Sequence, residues 1–138
     1  MKKKVFKAQR SRLQKLAERW IKPVGLSWWR INLNYDRTGE SFKDAEHNEP
    51  GFHSGAAARC FPDWRYAEAT IIFNMPELVH LSDEKLEYVF VHELMHIFLA
   101  EMREGANSTK QLPHEERVAT TLAKAFIWHK ENLTTNNE

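Results

Sequence analysis

Two histidines stand four residues apart in the stretch VFVHELMHIFLAE, residues 89–101, and a glutamate directly follows the first. On a helix, positions i and i+4 lie one turn apart and about 40° round the axis, so the imidazoles of His92 and His96 reach a common point. Such a point suits a divalent metal ion, and zinc in a catalytic site takes nitrogen donors of this kind while one position stays open to water. Glu93 lies about 100° round from His92, where its carboxylate can approach that water without binding the ion. A metal-bound water has a pKa near 7. A neighbouring carboxylate can take its proton for attack on a peptide carbonyl and pass a proton to the leaving amine.

Two imidazoles hold zinc weakly, so a third donor must come from elsewhere in the chain. The metzincin extension would need a glycine at position 99 and a histidine at 102, and Leu99 and Met102 exclude it. Further on, His114, Glu115 and Glu116 open a helical segment, RVATTLAKAFIW. Glu115 shares a helical stripe with Ala119, Leu122 and Phe126, and Glu116 shares one with Thr120, Ala123 and Ile127. Both stripes can face inwards, which leaves both glutamates as candidate ligands. Tyr66, His80 and His114 are the candidates for polarising a carbonyl, while His47, His53 and His129 read as ordinary surface or loop histidines.

The elements that must hold these residues can be traced along the chain. Leu13, Leu16, Ala17, Trp20 and Ile21 give helical spacing between Lys7 and Ile21, with Pro23 as a stop. SWWRINLNYD alternates, with Trp29, Ile31, Leu33 and Tyr35 on one face and Arg30, Asn32 and Asn34 on the other, as a half-buried strand does. RTGESFKDAEHNEPG is rich in turn formers and reads as a loop. FHSGAAARC and RYAEATIIFN read as two strands joined by a tight FPDW connection through Pro62 and Asp63. MPELVHL suggests a short helical turn. Ser82 is placed to cap a helix that starts at Asp83, runs to about Glu104 and stops at Gly105. After the polar ANSTKQL, Pro113 marks the start of a last helix through about His129.

HELMH, followed by a helix carrying Glu116, Ala119, Leu122 and Ala123, resembles the gluzincin zinc peptidases. The order of helix, three strands, helix, helix resembles the minimal gluzincins and small phage-encoded or SprT-like zincin domains. The resemblance spans Leu13 to Trp128, and its specific part is His92, Glu93, His96 and the Glu115/Glu116 pair. It implies an α+β zincin-like domain with Zn2+ as cofactor and a peptide or protein as substrate. It also implies Glu93 as the catalytic base and His92, His96 and Glu116 as the metal ligands, Glu116 lying twenty residues beyond His96. Many gluzincins carry an aspartate four residues after the ligand glutamate to orient a histidine, and here that position is Thr120, a weaker acceptor. In such a protease an extended peptide pairs with a sheet edge, and the small residues of SGAAARC make that segment the candidate edge.

Bulk properties narrow the setting. A chain of 138 residues that is 42% hydrophobic has the size of one domain, residues 1–138, with residues 1–6 and 132–138 expected to fray. From Met1 to Lys22 there are nine Lys and Arg against a single Glu, although the whole chain carries only +1. That asymmetry suits either a solvated helix face or a contact with nucleic acid or an acidic partner. Cys60 is the only cysteine, which excludes an intramolecular disulfide and a thiolate zinc cluster and fits a reducing, cytoplasmic setting. No apolar run approaches the ~20 residues that cross a bilayer.

Overall fold

The computed structural model describes residues 1–43 and 56–136, with side chains to Leu133. The expected loop from Arg37 to Gly51 lies largely outside the described residues, as do His47 and His53. The fold is α+β. Its elements are α1 (Lys3–Trp20), β1 (Arg30–Asp36), β2 (Ala58–Asp63), β3 (Glu68–Asn74), a single turn α2 (Met75–Leu78), α3 (Asp83–Ala100) and α4 (Glu115–Asn136). The strands form one sheet in the order β1-β3-β2, with β1 parallel and β2 antiparallel to the central β3.

Period-two alternation decides which face of the sheet is buried. Ala69, Ile71 and Phe73 of β3 have essentially no exposed surface, and Ile31, Leu33 and Tyr35 of β1 pack beside them. Against this face lies α3, whose Leu86, Phe90, Val91, Leu94 and Ile97 are buried. The ring of Phe73 stacks between Tyr35 and Phe90, with centroids at 6.1 and 5.9 Å. Truncating such a ring costs ~3–5 kcal/mol, so these three residues fix how α3 lies on the sheet.

The outer helices close the core. Gln9, Leu13, Leu16 and Trp20 form the buried stripe of α1, and Gln9 satisfies its amide by donating to the Leu78 carbonyl at 3.2 Å. The helix continues as turns to Gly25, whose φ of 91° suits a residue without a Cβ. Ser82 caps α3 by accepting from Lys85 N. Buried Glu87 is paired by Arg19 of α1 and Lys130 of α4, which ties three helices together. On α4, Ala119 and Ala123 are wholly buried, and their small side chains let this helix come close to α3.

Four elements have boundaries that differ from those read in the sequence. β2 runs through Phe61, Pro62 and Asp63, and the turn before β3 is Trp64–Tyr66. Pro62 fits a strand here because β2 is an edge. Asn74 N donates to the Ala57 carbonyl, so in this register Arg59, Phe61 and Asp63 exchange bonds with β3, and Ala58, Cys60 and Pro62 turn their main chain away. The regular part of α3 stops at Ala100 instead of Glu104. α4 begins at Glu115, not Pro113, because His114 takes a φ of 64°, and it extends beyond His129 to Asn136. At the amino end, α1 starts four residues before Lys7, and the guanidinium groups of Arg10 and Arg37 stand 5.9 and 5.6 Å from the centre of the Phe6 ring. Among the described residues no helix is long and apolar enough to cross a membrane.

Candidate metal centre

His92 and His96 occupy successive turns of α3 on the side facing α4, and Glu116 projects from the first turn of α4 towards them. The two Nε2 atoms are 3.1 Å apart. Glu116 Oε2 lies 3.1 Å from His92 Nε2, and its Oε1 lies 2.9 Å from His96 Nε2. Donors held ~2.0–2.1 Å from a tetrahedral zinc ion stand roughly 3.3–3.4 Å from one another. The three side chains therefore already have nearly the separations that such an ion requires.

The far sides of the two rings explain why both Nε2 atoms turn inwards. His96 Nδ1 donates to Glu115 Oε2 at 2.6 Å. His92 Nδ1 stands 3.5 Å from Thr120 Oγ1, and the Tyr88 hydroxyl donates to that same oxygen at 3.2 Å. An imidazole whose Nδ1–H is engaged presents the Nε2 lone pair to a metal. A carboxylate thus backs His96, from the residue just before Glu116, while a threonine hydroxyl stands behind His92. The two glutamates left open by the sequence take different positions. Glu116 joins the converging donors, and Glu115 sits wholly buried behind His96.

Charge is concentrated here. Burial disfavours the His96 imidazolium, but the hydrogen bonds it donates to Glu115 and Glu116 outweigh it and raise its pKa to about 9. Burial likewise favours neutral Glu115, yet His96 and Arg103 hold its pKa down at about 2. Hydrogen bonds to His92 and His96 keep Glu116 well below the usual carboxylate range. In the metal-free chain a proton on His96 offsets the negative charge that a divalent cation would otherwise neutralise.

Glu93 behaves differently. It is 8% exposed, and its carboxylate makes no hydrogen bond or ion pair with another described residue. Burial pushes its pKa up, while the two histidines pull it down. It faces a cavity of about 850 Å³ that also contains His92, His96 and Glu116. One wall of this cavity is β2, from Ala58 to Asp63, and the other is the segment from Asn107 to His114. A proton acceptor without a partner among the described residues, beside three converging metal donors and open to a space of substrate size, has the parts needed for general-base hydrolysis.

Of the three residues considered for carbonyl polarisation, only His114 lines this cavity. Tyr66 is 72% exposed near the far end of β2, and His80 is exposed beyond α2. His129 is exposed and packs edge-on against Trp128. Arg103 and Cys60 are two cavity residues that had no place in the site as read from the sequence. A buried glutamate needs a cation, and this requirement was the one signal that could have pointed to Arg103. Comparison with protein-family models, curated proteins and solved structures finds no match.

Proposed function

We propose that this chain is a zinc-dependent endopeptidase of the gluzincin type, with His92, His96 and Glu116 as ligands and Glu93 as general base. The observation that carries the reading is the Glu93 carboxylate, unpaired among the described residues, in the same cavity as the convergent donors of His92, His96 and Glu116. A site that held zinc only for structure would be closed by four donors and would have no use for a free carboxylate beside it. Zinc bound there would polarise the scissile carbonyl and acidify the attacking water. Glu93 would be the group that accepts a proton from the attacking water and gives one to the departing amide nitrogen. Its burial suits the task, because a raised pKa brings the carboxylate closer to the pH at which it must both accept and release a proton. The outward N–H and C=O groups of Ala58 and Cys60 have no main-chain partner among the described residues. They offer an extended peptide two backbone pairing points along the cavity wall.

The test is zinc content measured beside turnover of an unfolded protein, for wild type and Glu93→Gln. Zinc in both and cleavage only by wild type supports the reading; equal cleavage by both overturns it.

A second reading, a metal-stabilised binding protein, is favoured by α1. Arg12 and Arg19 are paired with Asp83 and Glu87, but Lys2, Lys3, Lys4, Lys7, Arg10, Lys15 and Lys22 have no acidic partner among the described residues. A cationic surface of this kind suits nucleic acid, and oligonucleotide binding that weakens steeply with salt, in a protein that cuts nothing, would select it.

A further inference from the structure

Arg103 follows the last turn of α3 and is only 7% exposed. Each of its three guanidinium nitrogens donates a hydrogen bond. Nε and Nη2 donate to the two oxygens of Glu115 at 3.0 and 2.7 Å, and Nη1 donates to the Ser108 carbonyl at 2.8 Å. The Glu115 carboxylate is equally occupied, because Oε1 also accepts from Leu112 N at 3.2 Å and Oε2 from His96 Nδ1. With four donors around it, this carboxylate cannot rotate without breaking contacts on both sides. The ring of His96 is held in turn, with Nε2 directed at Glu116.

The same guanidinium fixes the cavity wall. Ser108 and Leu112 belong to the segment opposite β2, and both are held in this cluster through main-chain atoms. Resting on the metal-centre reading of His92, His96 and Glu116, we propose that Arg103 is a positioning residue. It acts through Glu115 to set the orientation of His96 as a ligand, and through Ser108 to hold the wall of the substrate cavity in register with that ligand. Lysine cannot replace it, because only the planar guanidinium spans both carboxylate oxygens while a third nitrogen reaches a carbonyl.

The experiment measures zinc affinity by chelator competition on folded full-length wild type, Arg103→Lys, Arg103→Gln, Glu115→Gln and the Arg103→Gln/Glu115→Gln double variant, with folding checked by circular dichroism. Losing a partner behind a ligand lowers metal affinity about 10- to 100-fold. Arg103→Gln and Glu115→Gln are expected in that range, with Arg103→Lys intermediate. The double variant should be no weaker than the worse single one, since both act along one path. A role confined to stability would lower the melting temperature and leave the zinc affinity of the folded fraction unchanged. Wild-type affinity in folded Arg103→Gln, or additive losses in the double variant, would overturn the proposal while leaving the metal centre intact. Absence of zinc binding in wild type overturns the metal centre itself. Should both Arg103 variants fail to fold, Glu115→Gln carries the test, because unchanged affinity there breaks the path at its middle link.

Discussion

His96 Nδ1 lies 2.6 Å from Glu115 Oε2, while the opposite nitrogen of the same ring lies 2.9 Å from Glu116 Oε1. Adjacent residues of one helix thus hold the two edges of a single imidazole. One carboxylate is wholly buried and the other is half exposed to the cavity, so the pair divides into a support and a ligand candidate.

Alanine at each glutamate should separate these roles. Glu116→Ala is expected to bind zinc much more weakly and to lose less stability than Glu115→Ala, since its side chain is 52% exposed. Glu115→Ala leaves buried Arg103 without its counter-charge and should cost on the order of 3–5 kcal/mol of stability, with a smaller loss of zinc affinity. Urea unfolding of the metal-free proteins and chelator competition of the folded ones measure the two effects. A larger affinity loss in Glu115→Ala would reverse the assignment.

The histidine motif was fully legible in the sequence, because helical spacing alone brings His92 and His96 together. Helical spacing left Glu115 and Glu116 both open, and only the family resemblance pointed to Glu116. A difference of 100° on a helix decides nothing when both faces are inside, and here both are used, on opposite sides of His96. The role of Arg103 was hidden for a related reason. The residues after Ala100 continue a helix-forming composition, whereas the chain turns there and carries a guanidinium into the interior. Pro62 and Asp63 suggested a turn by composition, yet an outward-facing edge position tolerates proline because no ladder donor is lost. The α+β order and the inward face of β1 followed from periodicity, which reports burial directly.

The metal-free protein should show a defined pH profile. Its raised pKa means that protonated His96 stabilises the fold, fully below the ordinary value of 6.5, and that this contribution is lost as pH rises through about 9. Glu115 has a lowered pKa, so its contribution is complete above 4.5 and disappears as pH falls through about 2. Glu116 acts in the same direction as Glu115. Melting temperature in the presence of chelator should therefore be highest between roughly pH 5 and 6.5, and should decline towards pH 9. Zinc affinity should rise over that same alkaline interval, because the ion competes with the His96 proton. A melting temperature that stays flat from pH 6 to 9 would contradict the coupling of His96 to its two glutamates.

Glu93→Gln tests the difference between holding a metal and using it. The amide is nearly isosteric, and no hydrogen bond among the described residues is broken by the change, so fold and zinc content should match wild type. Removal of the proton acceptor should lower turnover by at least ~10²-fold. Loss of zinc in this variant would instead make Glu93 a ligand.

The spacing between α3 and α4 can be tested independently of the site's own atoms. Ala123 lies seven residues after Glu116 on the buried side of α4. Leucine there forces extra volume between the helices and should cost ~1–3 kcal/mol. It should also move Glu116 away from the histidines, so zinc affinity falls although every ligand is present. Lys124→Leu, on the exposed side of the same helix, is the control and should leave affinity unchanged.

The edge of β2 is tested by proline, because the residue's effect depends on which way its lost N–H pointed. Ala58 turns its main chain away from β3, so Ala58→Pro should keep the sheet and remove one donor from the proposed peptide-binding edge. Arg59 faces the opposite way and exchanges bonds with Ile72, so Arg59→Pro should weaken the sheet itself. A hydrogen bond contributes about 1 kcal/mol net. For Ala58→Pro that amounts to a roughly five- to tenfold lower kcat/KM on an unfolded protein substrate, with an unchanged melting temperature. Zinc content should also hold, since no ligand or support of a ligand is touched. A short substrate that does not extend along β2 should be cut at the wild-type rate. Equal cleavage of the long substrate by Ala58→Pro and wild type would remove the β2 edge from substrate binding and leave the cavity wall between Asn107 and His114 as the surface that positions the peptide.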